Sequence, residues 1–203
     1  MSTPDLEFRW SPLGSEMPKI FKPFEEAFAF VIEMEAGFSF DKDDPGGATN
    51  YGITLATARE NGLDIDGDGD VDVDDIKTMT INNAFIVYKN KYWDPLFNNA
   101  ATTDLSWDVA FAAFDAAVNC GINRAKGWLN TALKNDNPVK TINTLRRIHY
   151  ANIIHKNPKL SKFKRGWENR VNNLEKQIDI LRRDLDDGML DIRAVMPGES
   201  NYH

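Results

Sequence analysis

The sequence predicts a mainly α-helical protein with one irregular segment at its candidate site. Apolar side chains recur at spacings of three and four residues over most of the chain, which is the period of an amphipathic helix. Proline, glycine and asparagine interrupt this pattern and separate the predicted helices. The 203 residues suffice for one domain and a smaller companion. With 42% hydrophobic and 27% charged residues, the composition is that of a globular protein rather than of a disordered or fibrous one.

The first quarter of the chain is predicted to hold an arm, a helix and a loop. Residues 1–20 contain three prolines and little periodicity, which indicates an extended arm. A helix follows Pro23 and ends near Gly37, with its apolar positions on one face: Phe24, Ala27, Phe28 and Val31. Residues 38–52 are rich in Asp, Gly, Pro and Asn, which predicts a loop or a short, irregular hairpin.

Helix-capping and helix-breaking residues define the boundaries of the next predicted helices. A short helix over residues 55–60 stops at Asn61-Gly62, and an acidic segment follows as far as Asp75. Thr80 is then predicted to cap a helix that Asp94-Pro95 terminates.

The helix after this break is predicted to be the central one. It begins at Asp104 and is apolar nearly all round until Gly121, so we expect it to be buried. Three more helical patterns follow, over residues 123–133, 139–154 and 160 to about 185.

Charge is distributed unevenly along the chain. Residues 1–120 hold 8 basic and 22 acidic side chains, whereas residues 121–203 hold 16 and 9. The excess is larger within residues 121–183, which hold 15 basic and 4 acidic side chains. This pattern predicts a surface for an anionic partner, and the alternative is a set of solvated helix faces without one. We expect no nucleic-acid partner, because no nucleic-acid-binding motif accompanies the charge.

The sequence also excludes several classes of protein. Cys120 is the single cysteine, so an internal disulfide framework and a cysteine-based zinc site are both excluded. No stretch approaches the roughly 20 consecutive apolar residues of a membrane-spanning helix. Residues 1–13 are too polar for a secretory signal peptide, so we expect synthesis in the cytoplasm without export by this route.

Glu35 is the first candidate for chemistry. It lies four residues after Val31 and seven after Phe28, on the apolar face of the predicted helix, whereas Glu33 points away from that face. Desolvation and the negative end of the helix dipole would both raise the pKa of a carboxyl placed there. A carboxyl that stays protonated near neutral pH can serve as a general acid. The alternative is a frayed helix end in which Glu35 turns to water.

Further polar groups follow Glu35 in the predicted loop. The acidic ones are Asp41, Asp43 and Asp44. Thr49, Asn50 and Tyr51 supply short polar groups and an aromatic ring, and Asn50 and Tyr51 are candidates for substrate binding. Two carboxyls in contrasting environments are typical of glycoside cleavage, in which one protonates the leaving oxygen and the other orients water or attacks the sugar.

These residues resemble a known family. Glu35-Ala36-Gly37-Phe38, followed by Asp44-Pro45-Gly46-Gly47-Ala48-Thr49-Asn50-Tyr51-Gly52-Ile53-Thr54, is similar to the signature of glycosyl hydrolase family 108. This family comprises lysozyme-like N-acetylmuramidases of phage endolysins and of secretion-associated muramidases. The resemblance implies that Glu35 is the catalytic acid. The spacing from Glu35 to Asp44 and Thr49 also resembles the Glu, Asp, Thr arrangement of phage-type lysozymes, which implies that Asp44 and Thr49 position the water.

The resemblance also implies a fold, a substrate and a division of the chain. It implies a lysozyme-like helical catalytic domain over residues 21–120 and a helical peptidoglycan-binding region over residues 121–203. The implied reaction cleaves the β-1,4 bond between N-acetylmuramic acid and N-acetylglucosamine, with inversion or retention left open. The enzyme would be made in a host cytoplasm and reach the wall through a holin-type pore, or it would be delivered by a virion.

The acidic segment over residues 64–75 is the second candidate site. Its seven aspartates place oxygen donors at loop positions 1, 3, 5, 9 and 12, with glycine at position 6, as in a calcium-binding EF-hand. The predicted Ca²⁺ ligands are Asp64, Asp66, Asp68, Asp70 through its carbonyl, and Asp75. Asp in place of Glu at position 12 resembles dockerin modules. The alternative is a solvated acidic turn without a cation.

Two other functions compete with the enzyme. One is a non-catalytic, calcium-stabilised component of a phage tail or of a wall-binding assembly that keeps the lysozyme-like fold. The other is a dockerin-like adaptor, but that interpretation explains only residues 64–75.

Overall fold

The computed structural model describes residues 19–35, 48–97, 102 and 105–191. It is mainly helical, and this confirms the predicted fold class. The helices are α1 (Pro23–Glu35), α2 (Leu55–Glu60), α3 (Val73–Thr78), α4 (Ile81–Tyr88), α5 (Asp94–Phe97), α6 (Trp107–Cys120), α7 (Ile122–Ala132), α8 (Pro138–Lys156) and α9 (Lys164–Asp186). A π-helical segment (Lys89–Trp93) precedes α5, and a 3-10 segment (Pro158–Phe163) precedes α9. The strands are β1 (Lys19–Ile20), β2 (Thr49–Asn50), β3 (Ile53–Thr54) and β4 (Leu190–Asp191).

Helix α1 follows the predicted amphipathic pattern. It begins at Pro23, and Ala27, Phe28 and Val31 are buried as predicted. Glu33 is exposed, which agrees with its predicted position on the opposite face.

Local capping explains where α2 and α4 begin. The Thr54 hydroxyl accepts a hydrogen bond from the Thr57 N–H at 3.2 Å, and the helix stops at Asn61-Gly62, as predicted. Thr80 caps α4 in a reciprocal arrangement with Asn83, which the sequence also indicated. These two helix starts are therefore set by residues next to them in the chain.

The predicted break at Asp94-Pro95 is wrong. The chain continues from α4 through the π-helical segment into α5. In this segment the Asp94 N–H donates to the carbonyl of Lys89, five residues earlier. Pro95 then lies at the second position of α5, where its lack of an N–H removes no hydrogen bond within α5 itself.

Helix α6 is the central helix, as predicted. Residues 109–117 are all buried, and α6 packs against α1, α7, α8 and α9. It begins at Trp107 after Ser106, and the predicted start at Asp104 lies outside the described residues. One apolar core includes Phe24 from α1 and Leu174 from α9, so buried contacts cross residue 121. The division into regions 21–120 and 121–203 stays a prediction.

A buried ionic cluster joins three helices. Asp115 of α6 is 0% exposed and accepts hydrogen bonds from Arg146 of α8 at 2.7 Å and from Arg170 of α9 at 2.9 Å. Burial alone would raise the pKa of Asp115, but the two arginines outweigh it and hold the pKa below its usual range. The cluster therefore fixes α8 and α9 against the central helix through charge as well as packing.

The two ends of the described chain meet in a parallel strand pair. Lys19 of β1 lies opposite Leu190 of β4, and the Phe21 N–H donates to the Asp191 carbonyl at 2.8 Å. Phe21 is buried, and its ring contacts Trp107 at 5.0 Å between centroids. The described end of the predicted arm is thus attached to the core, whereas residues 1–18 lie outside the described residues.

Candidate active site and acidic loop

The backbone places Glu35 at the end of α1. Glu35 is the last residue of that helix, one turn after the buried Val31. The side chain of Glu35 and the whole of Asp44 lie outside the described residues. Their roles as catalytic acid and as water-positioning carboxylate therefore stay predictions.

The described part of the predicted irregular hairpin consists of strands β2 and β3. Thr49 and Asn50 pair antiparallel with Thr54 and Ile53. Tyr51 and Gly52 form the turn with φ angles of 49° and 71°, and two successive positive φ values are typical of tight two-residue hairpin turns. Bulky residues seldom adopt a positive φ, so the Tyr51 backbone is strained. The role of half-buried Thr49 stays a prediction.

Asn50 ties the hairpin to α3. It is 8% exposed, and its side-chain amide donates to the carbonyl of Ile76 at 3.0 Å. The amide N–H is thus engaged within the protein, and this contact supports the position of the hairpin. Substrate binding by Asn50 and Tyr51 stays a prediction.

Tyr88 connects the same hairpin to α1. Its hydroxyl donates to the Tyr51 carbonyl at 3.0 Å, and its ring contacts that of Phe28 at 5.7 Å between centroids. One side chain therefore holds both the helix that carries Glu35 and the turn that carries Tyr51. The sequence predicted only that Tyr88 lies in the helix capped by Thr80. The available signal was its hydroxyl, because a buried tyrosine usually places that group on a hydrogen-bond acceptor.

The first half of the acidic segment forms a compact loop. Gly67 and Gly69 have φ angles of 78° and 99°, and their N–H groups donate to the two carboxylate oxygens of Asp64 at 2.7 and 3.0 Å. Asp64, Asp66 and Asp68 each bring one carboxylate oxygen into a group whose members lie within 4.8 Å of one another. The structure therefore brings together three of the predicted Ca²⁺ ligands.

Asp75 lies in a second group, with Asp70 and Asp72, whose carboxylate oxygens also lie within 4.8 Å of one another. Asp75 is 1% exposed and accepts hydrogen bonds from the N–H groups of Asp72 at 2.8 Å and Ile65 at 2.6 Å. These hydrogen bonds hold the pKa of Asp75 below its usual range. Asp75 thus closes the loop by joining its first residues to the start of α3.

Among the residues that the structure describes, only one side chain forms an ion pair with the aspartates of the loop. Asp74 pairs with Lys77 at 2.7 Å, but no described ion pair involves the other six aspartates of residues 64–75. The charge of Asp68 raises the pKa of Asp70, which reflects this crowding. A donor set made only of oxygens is the kind that hard cations such as Ca²⁺ prefer. The chemistry of the loop thus fits the predicted ion.

Two contacts connect the acidic loop with the hairpin side of the molecule. Arg59 of α2 donates from Nε to the Val71 carbonyl at 2.9 Å. Asn50 bonds to Ile76 in α3, directly after the loop. A change in the loop can therefore reach the hairpin through α3.

None of the helices in the described part of the chain combines the length and apolar character needed to cross a membrane.

One family model matches the segment that holds the candidate site. No curated protein matches the chain significantly. A solved structure of SagA from Brucella abortus is similar, with 29% identity and a TM-score of 0.57. The match covers 79% of this chain and 96% of that one. Residues 28–121 match the model of the glycosyl hydrolase 108 family. This match confirms the family resemblance found in residues 35–54. It also indicates a glycoside hydrolase.

Proposed function

We propose that the protein hydrolyses peptidoglycan at the β-1,4 bond between N-acetylmuramic acid and N-acetylglucosamine. The observation that carries the proposal is the family match over residues 28–121, because this segment contains Glu35, Asp44 and Thr49. The position of Glu35 after the buried part of α1 supports its role as the general acid. Asp44 and Thr49 orient the attacking water in this proposal. The distance between the two carboxyls decides between inversion and retention.

Replacement of the proposed acid tests this function. Glu35→Gln keeps the size of the side chain but removes its transferable proton, so the rate of wall clearing should fall by about 10²–10⁴-fold. Glu33→Gln is the matched control, because Glu33 is exposed on the same helix two residues earlier. Circular dichroism and sedimentation with peptidoglycan should be unchanged in both variants.

Equal clearing rates for the Glu35→Gln and Glu33→Gln variants would eliminate Glu35 as the acid. Sedimentation with peptidoglycan without any clearing by the wild type would favour the non-catalytic wall-binding alternative.

We also propose that the acidic loop holds Ca²⁺ as a structural clamp. Asp64, Asp66 and Asp68 supply carboxylate oxygens in this proposal, Asp70 supplies its carbonyl, and Asp75 completes the set. The grouping of the first three and the lack of a described ion pair support it. Bound Ca²⁺ would offset the repulsion among the aspartates and stiffen the link through α3 to Asn50. The ion would take no part in bond cleavage.

We further propose that the basic helices of residues 121–203 contact the anionic wall. Their excess of basic side chains supports this role, and binding should weaken as the salt concentration rises. The route to the wall, through a holin-type pore or by virion delivery, stays a prediction.

A further inference from the structure

The basic side chains of the C-terminal helices fall into two groups. One group is engaged within the protein: Arg146 and Arg170 bind Asp115, and Arg147 binds both carboxylate oxygens of Glu175 at 2.9 and 2.8 Å. The other group is exposed where α8 ends and α9 begins, and we call it the basic corner: Lys156, Lys159, Lys162, Lys164 and Arg165. Residues 137–167 contain no acidic side chain. The basic corner is therefore interrupted by no acidic residue between positions 137 and 167, and Glu168 borders it.

Helix stability does not explain this arrangement. Lys164 and Arg165 lie in the first turn of α9, which contains no acidic residue. The N-terminal end of a helix carries a partial positive charge and favours anions, so basic residues there are unfavourable for the helix itself. Among the described ion pairs, the basic corner contributes only Lys164 with Glu168, at 3.8 Å. These charges thus remain available to an anionic partner.

A small cavity lies beside the basic corner, between α8 and α9. It has a volume of about 180 Å³. From α8 it is lined by Arg147, Tyr150, Ala151 and Ile154, and from α9 by Lys164, Glu168 and Asn172. Pockets that enclose a whole drug-sized ligand measure roughly 300–1,000 Å³, so this cavity suits one small group rather than a sugar chain.

The aromatic side chains nearby are already packed against one another. The ring of Trp167 stacks on that of Tyr150 at 5.0 Å between centroids, with an angle of 20°. The Phe163 ring lies 5.9 Å from the Trp167 ring at 30°. Sugars bind to free faces of aromatic rings. The two near-parallel rings beside Trp167 reduce the ring face that is free for a sugar. The surface is therefore better suited to charged groups than to a glycan.

We propose, resting on the proposed function, that this cavity and the basic corner bind the peptide stem of peptidoglycan through its carboxylates. The stem carries free carboxylates and an amine, whereas the hydroxyl and acetamido groups of the glycan strand are neutral. Lys164 pairs with a stem carboxylate, and Glu168 accepts a stem ammonium group. The apolar lining from Ala151 and Ile154 contacts an alanine methyl group.

The Lys164–Glu168 pair permits this exchange of partners. The two side chains are 62% and 50% exposed, and an exposed ion pair of this kind stabilises a protein by about 1 kcal/mol at most. Separation of the pair by a zwitterionic ligand therefore costs little.

A binding experiment on the full chain tests this inference. The Glu35→Gln variant prevents hydrolysis, and calorimetry measures its binding to a synthetic stem tetrapeptide, to neutral oligomers of N-acetylglucosamine and to phosphatidylglycerol vesicles. We expect binding to the tetrapeptide only, and affinity should fall as salt rises. Adding Lys164→Glu should weaken that binding at least about tenfold, because an attractive charge becomes repulsive. This substitution favours the first turn of α9, so loss of the helix would not explain the result.

Lys134→Glu is the matched control, because Lys134 is exposed in the turn before α8, at the opposite end of that helix from Ala151 and Ile154. It should change tetrapeptide affinity by less than about twofold, since most of α8 separates its charge from the cavity. Equal effects of Lys164→Glu and Lys134→Glu, or binding to N-acetylglucosamine oligomers or vesicles in place of the tetrapeptide, would overturn the inference. Wall clearing by the wild type is measured in parallel. Clearing without tetrapeptide binding contradicts this inference alone, and tetrapeptide binding without clearing contradicts the proposed function alone.

Discussion

Two groups of aspartates in this protein differ in the source of their compensating charge. Asp115 lies in the core at 0% exposure and is bound by Arg146 and Arg170. Asp64, Asp66 and Asp68 are exposed, and no described ion pair involves them. A buried carboxylate must find its cation within the chain, because the surroundings cannot solvate it. An exposed cluster can take its cation from solution.

This difference assigns distinct roles to the two groups. The buried cluster joins α6, α8 and α9 whether or not an ion or ligand is present. In the calcium proposal, the acidic loop instead makes the region around α3 and the hairpin dependent on a cation. Stability of the C-terminal helices should therefore be insensitive to Ca²⁺, whereas that of the loop should respond to it.

Removal of the buried negative charge should have the largest effect on stability. Asp115→Asn leaves Arg146 and Arg170 without a buried anion, and the free energy of unfolding should fall by about 3–5 kcal/mol. Urea unfolding measures this change. Lys77→Met is the control, because it removes one partner of an exposed ion pair with Asp74 and should have only a slight effect. If both variants unfolded at the wild-type urea concentration, the cluster would have no part in holding the helices.

Saturating Ca²⁺ should produce the next largest effect. It should raise the melting temperature by about 5–10 °C, since a ligand that binds only the folded state stabilises it by mass action. Asp68→Asn should remove more than half of that rise, whereas Asp136→Asn, an exposed acid outside the loop, should keep it. Differential scanning calorimetry with and without chelator measures the rise. A melting curve that excess chelator leaves unchanged would contradict the calcium proposal.

A buried polar group without charge separates the effect of burial from that of charge. Asn50→Ala leaves the Ile76 carbonyl without its amide donor, and the free energy of unfolding should fall by about 1–3 kcal/mol. Asn61→Ala removes the same type of bond, to the Thr57 carbonyl at 2.7 Å, but at an exposed position. Its effect should stay within about 0.5 kcal/mol in the same urea experiment. Equal losses would mean that burial at Asn50 does not matter.

Glu175 is an intermediate case and should give the smallest effect. Its hydrogen bond with Arg147 lowers its pKa below the usual value of 4.5. Since the folded-state pKa is lowered, this stabilisation is present above the unfolded-state pKa and is lost as the pH falls through the folded-state value. The loss should be at most about 1 kcal/mol, because solvent screens the pair.

Stability measured between pH 6 and about pH 3 checks this expectation. Glu175→Gln should lose less stability over that range than the wild type, and Glu33→Gln, outside any described ion pair, should behave as the wild type. A steeper loss in Glu175→Gln would reverse the sign of the expected linkage.

The sequence predicted elements whose ends depend on neighbouring residues. Thr54 and Thr80 cap α2 and α4, and each cap uses a partner three residues later. The apolar run of α6 also predicted its central burial, because no other side of that helix could face water.

Features that depend on distant residues were not predicted. The pairing of β1 with β4 joins Lys19 to Leu190, and no local pattern indicates it. The passage from α4 to α5 through a π-helical segment overrides the local break at Asp94-Pro95. Asp115 was a usable signal, because an acid within a wholly apolar helix requires a buried cation. Which arginines would supply that charge depends on how α8 and α9 pack.

The candidate site also combines local features that the sequence predicted with distant contacts that it did not. The motif located the hairpin, but not the bond from Tyr88 to Tyr51, which comes from a helix 37 residues later. The carboxylates of Asp64, Asp66 and Asp68 lie together, as the loop spacing indicated, whereas that of Asp75 lies with those of Asp70 and Asp72. Their role as Ca²⁺ ligands stays a prediction. The difference arises because Asp75 is held by backbone N–H groups of the loop.

Mass analysis of the sugar ends released from purified peptidoglycan tests the central claim most directly. The wild-type protein should release fragments that end in a reducing N-acetylmuramic acid, and Glu35→Gln should release none above the background. Reducing ends of N-acetylglucosamine, or an unchanged set of muramic acid ends from Glu35→Gln, would contradict the proposed reaction.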